Sequence, residues 1–151
     1  MTDWREDIEN ALTAFVTVAQ LAGAPISRSE LVVEYLSALH RPTRLPAGKM
    51  AVYGFWGDGT WLKIGKAGPN SNARYTSQHY NAASARSTLA GSLMRDPHML
   101  AVVGFDPQAP GDWIKAATHR VNILLPSTRQ KELLSLLEAF LHLRLRPRHG
   151  G

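Results

Sequence analysis

The 151-residue chain contains no cysteine. That excludes disulfides, thiolate zinc sites, iron–sulfur clusters and a thiol nucleophile. Its six histidines include no pair three to five residues apart, so histidine zinc spacing is absent as well. No apolar run approaches the ~20 residues that cross a bilayer, and no membrane partner is expected. There is no internal repeat and no low-complexity tract, which sets aside solenoids and disordered tails. Gly54, Gly57 and Gly59 have no helix after them and are not a dinucleotide fingerprint. The opening, Met1-Thr2-Asp3-Trp4-Arg5-Glu6-Asp7, lacks the basic region and apolar core of a secretory signal. The cytoplasm is the expected compartment.

What is present is enough for a packed core: 44% of residues are hydrophobic and 19% charged. The formal net charge of +5 is unevenly spread. Residues 1–40 carry six acids and two bases, a balance of −4, whereas 41–151 carry fifteen bases and six acids, a balance of +9. An acidic opening before a basic body suggests a polyanion-binding surface confined to the later part.

Ile8, Leu12, Phe15, Val16 and Ala19 recur at helical spacing between Asp3 and Ala22. After Gly23-Ala24-Pro25, Ser27 and Glu30 have capping-box spacing. Leu31, Val32, Tyr35, Leu36 and Leu39 then read as a second amphipathic helix. Residues 1–41 are therefore expected to be a helical pair, a cover or dimerisation element. Its acids argue against a DNA-reading helix-turn-helix, since Glu30 and Glu34 would face phosphates. Residues 42–151 form the expected functional domain.

Met50 to Trp56 and Thr60 to Gly65 have strand composition, and Gly57-Asp58-Gly59 between them signals a hairpin turn. Residues 65–72 read as a loop, followed by a helix running through Arg74 and His79. A short helix is expected over Ser87–Arg95, strands over Met99–Phe105 and His119–Leu125, and a last helix from Pro126-Ser127 to about Leu145. The fold class is α/β (α+β): a small, three-stranded, mainly antiparallel sheet flanked by helices.

Side chains alternate along a strand, so Lys63 and Gly65 share a face. Tyr53, Lys63, Lys66 and Arg74 then converge at one end of the sheet. A phenol beside ammonium groups has a lowered pKa, which suits Tyr53 to general-base work with Arg74 as a phosphate clamp. The same residues also read as a core tyrosine and solvated strand-end lysines. Trp56, Trp61 and Trp113 read either as core cover or as stacking platforms for bases.

Ala51-Val52-Tyr53, then Lys63-Ile64-Gly65-Lys66 and Arg74, resembles the GIY-YIG nuclease superfamily in its branch with a lysine in place of the second tyrosine. The resemblance covers residues 50–80 and extends to the final helix. It implies a GIY-YIG-like fold and a divalent-metal-dependent DNA endonuclease using Mg2+ or Mn2+. Tyr53, Lys63, Lys66, Arg74, His79 and Glu138 are its implied catalytic residues, with Glu138 the metal ligand. A single carboxylate suffices for magnesium, which keeps several waters. Glu132 is the competing carboxylate on the other edge of the apolar stripe.

Four positions depart from the family pattern. Lys63 replaces the tyrosine of the second tripeptide, as in some restriction endonucleases of the family. Ala51 replaces the first glycine. Gln78 stands where members often have a histidine, with His79 one residue on. His149 stands in for a trailing asparagine. Residues 81–125 match no motif. Asn70, Asn72, Arg86, Arg95, Arg146 and Arg148 are the candidate DNA contacts. The alternative reading is a catalytically inactive DNA-binding module of the same fold. DNA is the expected partner, and a homodimer follows if both strands of a duplex are cut.

Overall fold

The computed structural model describes residues 3–81 and 88–150. Asp3 caps the first helix, α1 (Trp4–Leu21), by accepting from the Arg5 amide at 3.1 Å. Glu6 and Asp7 complement the positive end of that helix in its first turn. Of the stripe the periodicity predicts, Ile8, Leu12, Phe15 and Ala19 are buried and Val16 is half-buried.

The expected second helix is not there. Ser27 and Glu30 do form a capping box, but it closes only a 3-10 turn (Arg28–Glu30). The chain then runs as strand β1 (Val32–Leu36). Adjacent β-branched Val32 and Val33, with Tyr35, favour a pleated surface, and residues 120–124 supply the backbone partners. The helical pair is thus a helix and a strand of the main sheet. The apolar stripe of α1 is used within the chain, where Phe15 meets Phe140 at 5.7 Å.

The hairpin forms as expected from β2 (Lys49–Gly57) and β3 (Thr60–Ala67). Asp58 and Gly59 both have positive φ, 52° and 75°, as a two-residue turn matched to strand twist requires. Strand β4 (His119–Pro126) lies where expected. The sheet has four strands rather than three, in the order β1-β4-β2-β3, and every pairing is antiparallel.

The hairpin register shifts after Phe55, which pairs with Lys63 while Trp56 pairs with Trp61. Leu62 is the extra residue of this bulge. The outer edge of β3 is partly covered there: Arg148 and His149 donate their amides to the carbonyls of Trp61 and Leu62, each at 2.9 Å.

Two cores flank the sheet. On one face Val52, Ile64 and Ile123 pack with α1 and α5 (Lys131–Leu145). On the other, Tyr53, Phe55, Leu62 and Leu124 pack with Tyr75 of α2 (Asn72–Thr76). Leu89 and Leu93 of α3 (Leu89–Met94) and Trp113 of α4 (Pro110–Ala117) complete that layer.

Three boundaries differ from expectation. The strand expected over Met99–Phe105 is a 3-10 turn (Pro97–Ala101) capped by Asp96, with Gly104 at φ 84° beyond it. Leu100 and Val103 are 75% and 95% exposed there, so that run of apolar residues does not mark a buried strand. Helix α5 begins at Lys131, because Ser127 is held to the Gly48 carbonyl at 2.9 Å. The helix expected through Arg74 and His79 stops after Thr76 and resumes as a 3-10 turn (Gln78–Tyr80). Of the expected Ser87–Arg95 helix, Ser87 lies outside the described residues.

Gly65 is required by its neighbour. A Cβ there would lie 2.8 Å from the Tyr53 hydroxyl oxygen and 2.9 Å from Cζ, directly across the ladder. At Gly68 a Cβ would meet nothing nearer than Ser71 Oγ at 4.0 Å. Gly65→Ala is therefore expected to cost about 1–3 kcal/mol in urea denaturation, with Gly68→Ala close to neutral. Equal stability of the two variants would contradict this packing.

Candidate active site

Tyr53 is completely enclosed, at 0% exposure. Its hydroxyl lies 2.6 Å from His79 Nε2. The Leu89 amide donates to His79 Nδ1 at 3.1 Å. With Nδ1 accepting, the neutral ring carries its proton on Nε2 and donates to the Tyr53 oxygen. The break after Thr76 makes this contact possible, because it frees His79 from the rotation a continuous helix would impose. Burial, with Arg74, Lys63 and Arg120 nearby, pushes His79 down to about 3.

The lowered phenol pKa expected of Tyr53 is overturned. Burial pushes it up to about 12, although Arg74 and Arg120 pull the other way. Lys66 is not beside the phenol. It pairs with Val52 on the opposite face, where its Nζ donates to Ser135 Oγ at 2.9 Å and lies 3.9 Å from Glu138 Oε1. Lys63 does share the Tyr53 face. It is buried rather than solvated, and burial, with Arg74 and Arg95, lowers its pKa.

Arg120 carries no sequence motif, yet it organises this face. It is 1% exposed, and its guanidinium carbon lies 4.8 Å from the Tyr53 and Tyr75 ring centres and 5.1 Å from that of Phe55. It donates to Asn122 Oδ1 at 2.8 Å, the Tyr75 carbonyl at 2.6 Å and the Tyr80 hydroxyl at 3.2 Å. A buried charge with no such partners costs about several kcal/mol. Here carbonyl, amide and π faces offset that penalty.

The two faces meet beyond the edge of β3. A cavity of about 550 Å³ is lined there by Arg74, Lys66, Lys131, Ser135, Glu138 and His142, among others. Arg74 is aimed by a bond from its Nε to the Lys66 carbonyl at 3.3 Å. His142 is not paired with Glu138. Its Nε2 donates to the Ile64 carbonyl at 3.0 Å and ties α5 to β3. Glu138 rather than Glu132 therefore faces the cavity that holds Arg74.

Among the described residues, no group of three or more histidine or acidic side chains is placed to hold a metal. Glu138, beside the Ser135 hydroxyl and an open cavity, fits an ion held mostly by water and phosphate oxygens. It does not fit a protein cage.

The expected DNA contacts divide. Asn72 Oδ1 accepts from the Leu45 amide at 2.9 Å and from Thr76 Oγ1 at 3.0 Å, a scaffold role. Arg148 is paired with Asp58 at 3.1 Å. Asn70, Arg95 and Arg146 are exposed. Arg86 lies outside the described residues. Trp61 and Trp113 are buried in the two cores, and Trp56 stacks with His119 at 5.8 Å. No helix among the described residues is long and apolar enough to cross a membrane.

No protein-family profile, curated protein or solved structure matches this chain, which leaves the geometry of the site to carry the functional reading.

The His79 geometry has a pH signature. An unfolded chain protonates His79 below about 6.5, whereas the folded chain resists until about 3. This contribution to stability is full above pH 6.5 and is lost as pH falls toward 3. Imidazole NMR is expected to show His79 neutral, as the Nε2–H tautomer, from pH 5 to 8. A titration near 6.5 would contradict the assignment.

Proposed function

We propose that the chain is a cytoplasmic, divalent-metal-dependent DNA endonuclease with a GIY-YIG-like hairpin and final helix. The observation that supports this most is the shared cavity. Arg74 from one side of the sheet and Glu138 from the other line it together, with Lys66 between them. A cation and a carboxylate facing one cavity suit a phosphodiester: Arg74 would take its oxygens, and Glu138 would hold a metal that supplies Lewis-acid chemistry.

In this reading Glu138 would hold Mg2+ or Mn2+, which supplies Lewis-acid stabilisation of the phosphate and the leaving oxygen. Arg74 binds the non-bridging oxygens and stabilises the charge that grows on them. Lys66 holds Ser135 and Glu138 in place. Tyr53 is a neutral phenol at physiological pH, so a base role for it requires substrate to uncover and ionise the ring. A nicking event needs one copy, and a homodimer belongs to the proposal only for double-strand cleavage.

The enclosed, protonated Tyr53 favours a second reading, a DNA-binding module that keeps the hairpin and has lost hydrolysis. Plasmid nicking separates the two. The endonuclease reading expects magnesium- or manganese-dependent nicking. Arg74→Ala is expected to slow it by about 10²–10³-fold, and Tyr53→Phe by about 10²-fold or more, both with DNA binding kept. Glu138→Gln is expected to abolish the metal dependence. Intact plasmid with either metal, alongside undiminished DNA binding, supports the second reading and ends the first.

A further inference from the structure

Helix α5 carries two stripes. Leu133, Leu137 and Leu141 are buried against the sheet. Lys131, Ser135, Glu138 and His142 follow one another at spacings of four, three and four residues and line the cavity. Such spacing keeps side chains on one helix face. At ~1.5 Å per residue the polar stripe is roughly 16 Å long.

Three of its four members are anchored to β3. Ser135 accepts from Lys66 Nζ at 2.9 Å, Glu138 lies 3.9 Å from the same ammonium, and His142 is fixed to the Ile64 carbonyl at 3.0 Å. Lys131 heads the stripe and is exposed, and it makes no ion pair among the described residues. No other acid lines the cavity beside Glu138, so the Lys131 end of the stripe is cationic.

We propose that the α5 stripe is a track for one nucleic-acid strand, in which Lys131 holds the backbone about three nucleotides from the phosphate at Arg74 and Glu138 and Ser135 borders the path between them. Lys131 stands seven residues from Glu138, roughly 10 Å along the helix. A B-form strand advances about 3.4 Å per nucleotide, so the two positions are about three nucleotides apart. The inference deepens the proposed function and rests on its reading of the cavity as a phosphodiester site. Lys131 is a positioning residue here, away from the reacting phosphate.

Fluorescence anisotropy with labelled DNA oligonucleotides, in EDTA and across a salt series, tests the track without requiring hydrolysis. Lys131→Ala is expected to weaken binding equally for unrelated sequences and to reduce the slope of log affinity against log salt by about one. Lys131→Arg is expected to restore both. Oligonucleotides too short to span about three nucleotides on either side of the bound phosphate are expected to bind wild type and Lys131→Ala alike. An unchanged salt slope in Lys131→Ala, or absence of DNA binding by the wild type, overturns the track. If the slope falls but no metal nicks plasmid, the track stands and the endonuclease reading fails. If nicking depends on Glu138 but Lys131→Ala binds like wild type, the reverse holds.

Discussion

The contact between Tyr53 and Gly65 constrains everything around it. The two residues face each other across the β2–β3 ladder, and the phenol ring occupies the space a Cβ would need. This fixes the hydroxyl against the strand, where His79 can reach it at 2.6 Å. Reaching it requires the chain to leave the helix after Thr76. That break also lets Arg74 remain on α2, turned toward the cavity, while His79 turns inward. One close approach therefore sorts a charged arginine and a neutral histidine, five residues apart, into different roles.

Electrostatics on the Tyr53 face follow from the same enclosure. Arg120 is buried among rings and carbonyls. Its charge favours an ionised phenol, but desolvation of the phenol is the larger effect and keeps the proton on. The same cation and the same burial act in one direction on His79 and hold it neutral. The result is a neutral tyrosine–histidine pair bordered by positive charge. The cavity on the far side of β3 differs, with solvent access and a mixed set of a carboxylate, cations and hydroxyls.

Local chemistry was the legible part of the sequence. Asp58-Gly59 set the hairpin turn, and the stripe Leu133, Leu137 and Leu141 set the core face of α5. Both signals depend only on near neighbours. In the segment Leu31–Leu39 the spacing suits a helix, while the β-branched residues suit a strand. The choice was made by β4, more than eighty residues away in sequence. The capping box at Ser27 satisfied its own rule without starting an α-helix. At the site, the cluster of residue types near the hairpin was legible, but the face each occupies was only partly so. Lys66 and Tyr53 belong to opposite sides. Arg120 had no signal of its own, because a buried arginine takes its meaning from the rings and carbonyls that distant segments place around it. Lys131 and Ser135 carry no motif, and their spacing to Glu138 acquires meaning only where α5 borders β3.

The proposed function depends on the cavity at the edge of β3, where Glu138 would hold the metal and Arg74 the phosphate. The most direct measurement is paramagnetic line broadening by manganese(II) in an isotope-labelled sample containing a short DNA duplex. Broadening is expected to begin at Ser135, Glu138 and Arg74, to spread to Lys66, and to be lost in Glu138→Gln with the rest of the spectrum unchanged. Broadening centred instead on Asp58 and Asp96, or none at any manganese concentration that leaves the protein folded, would contradict it.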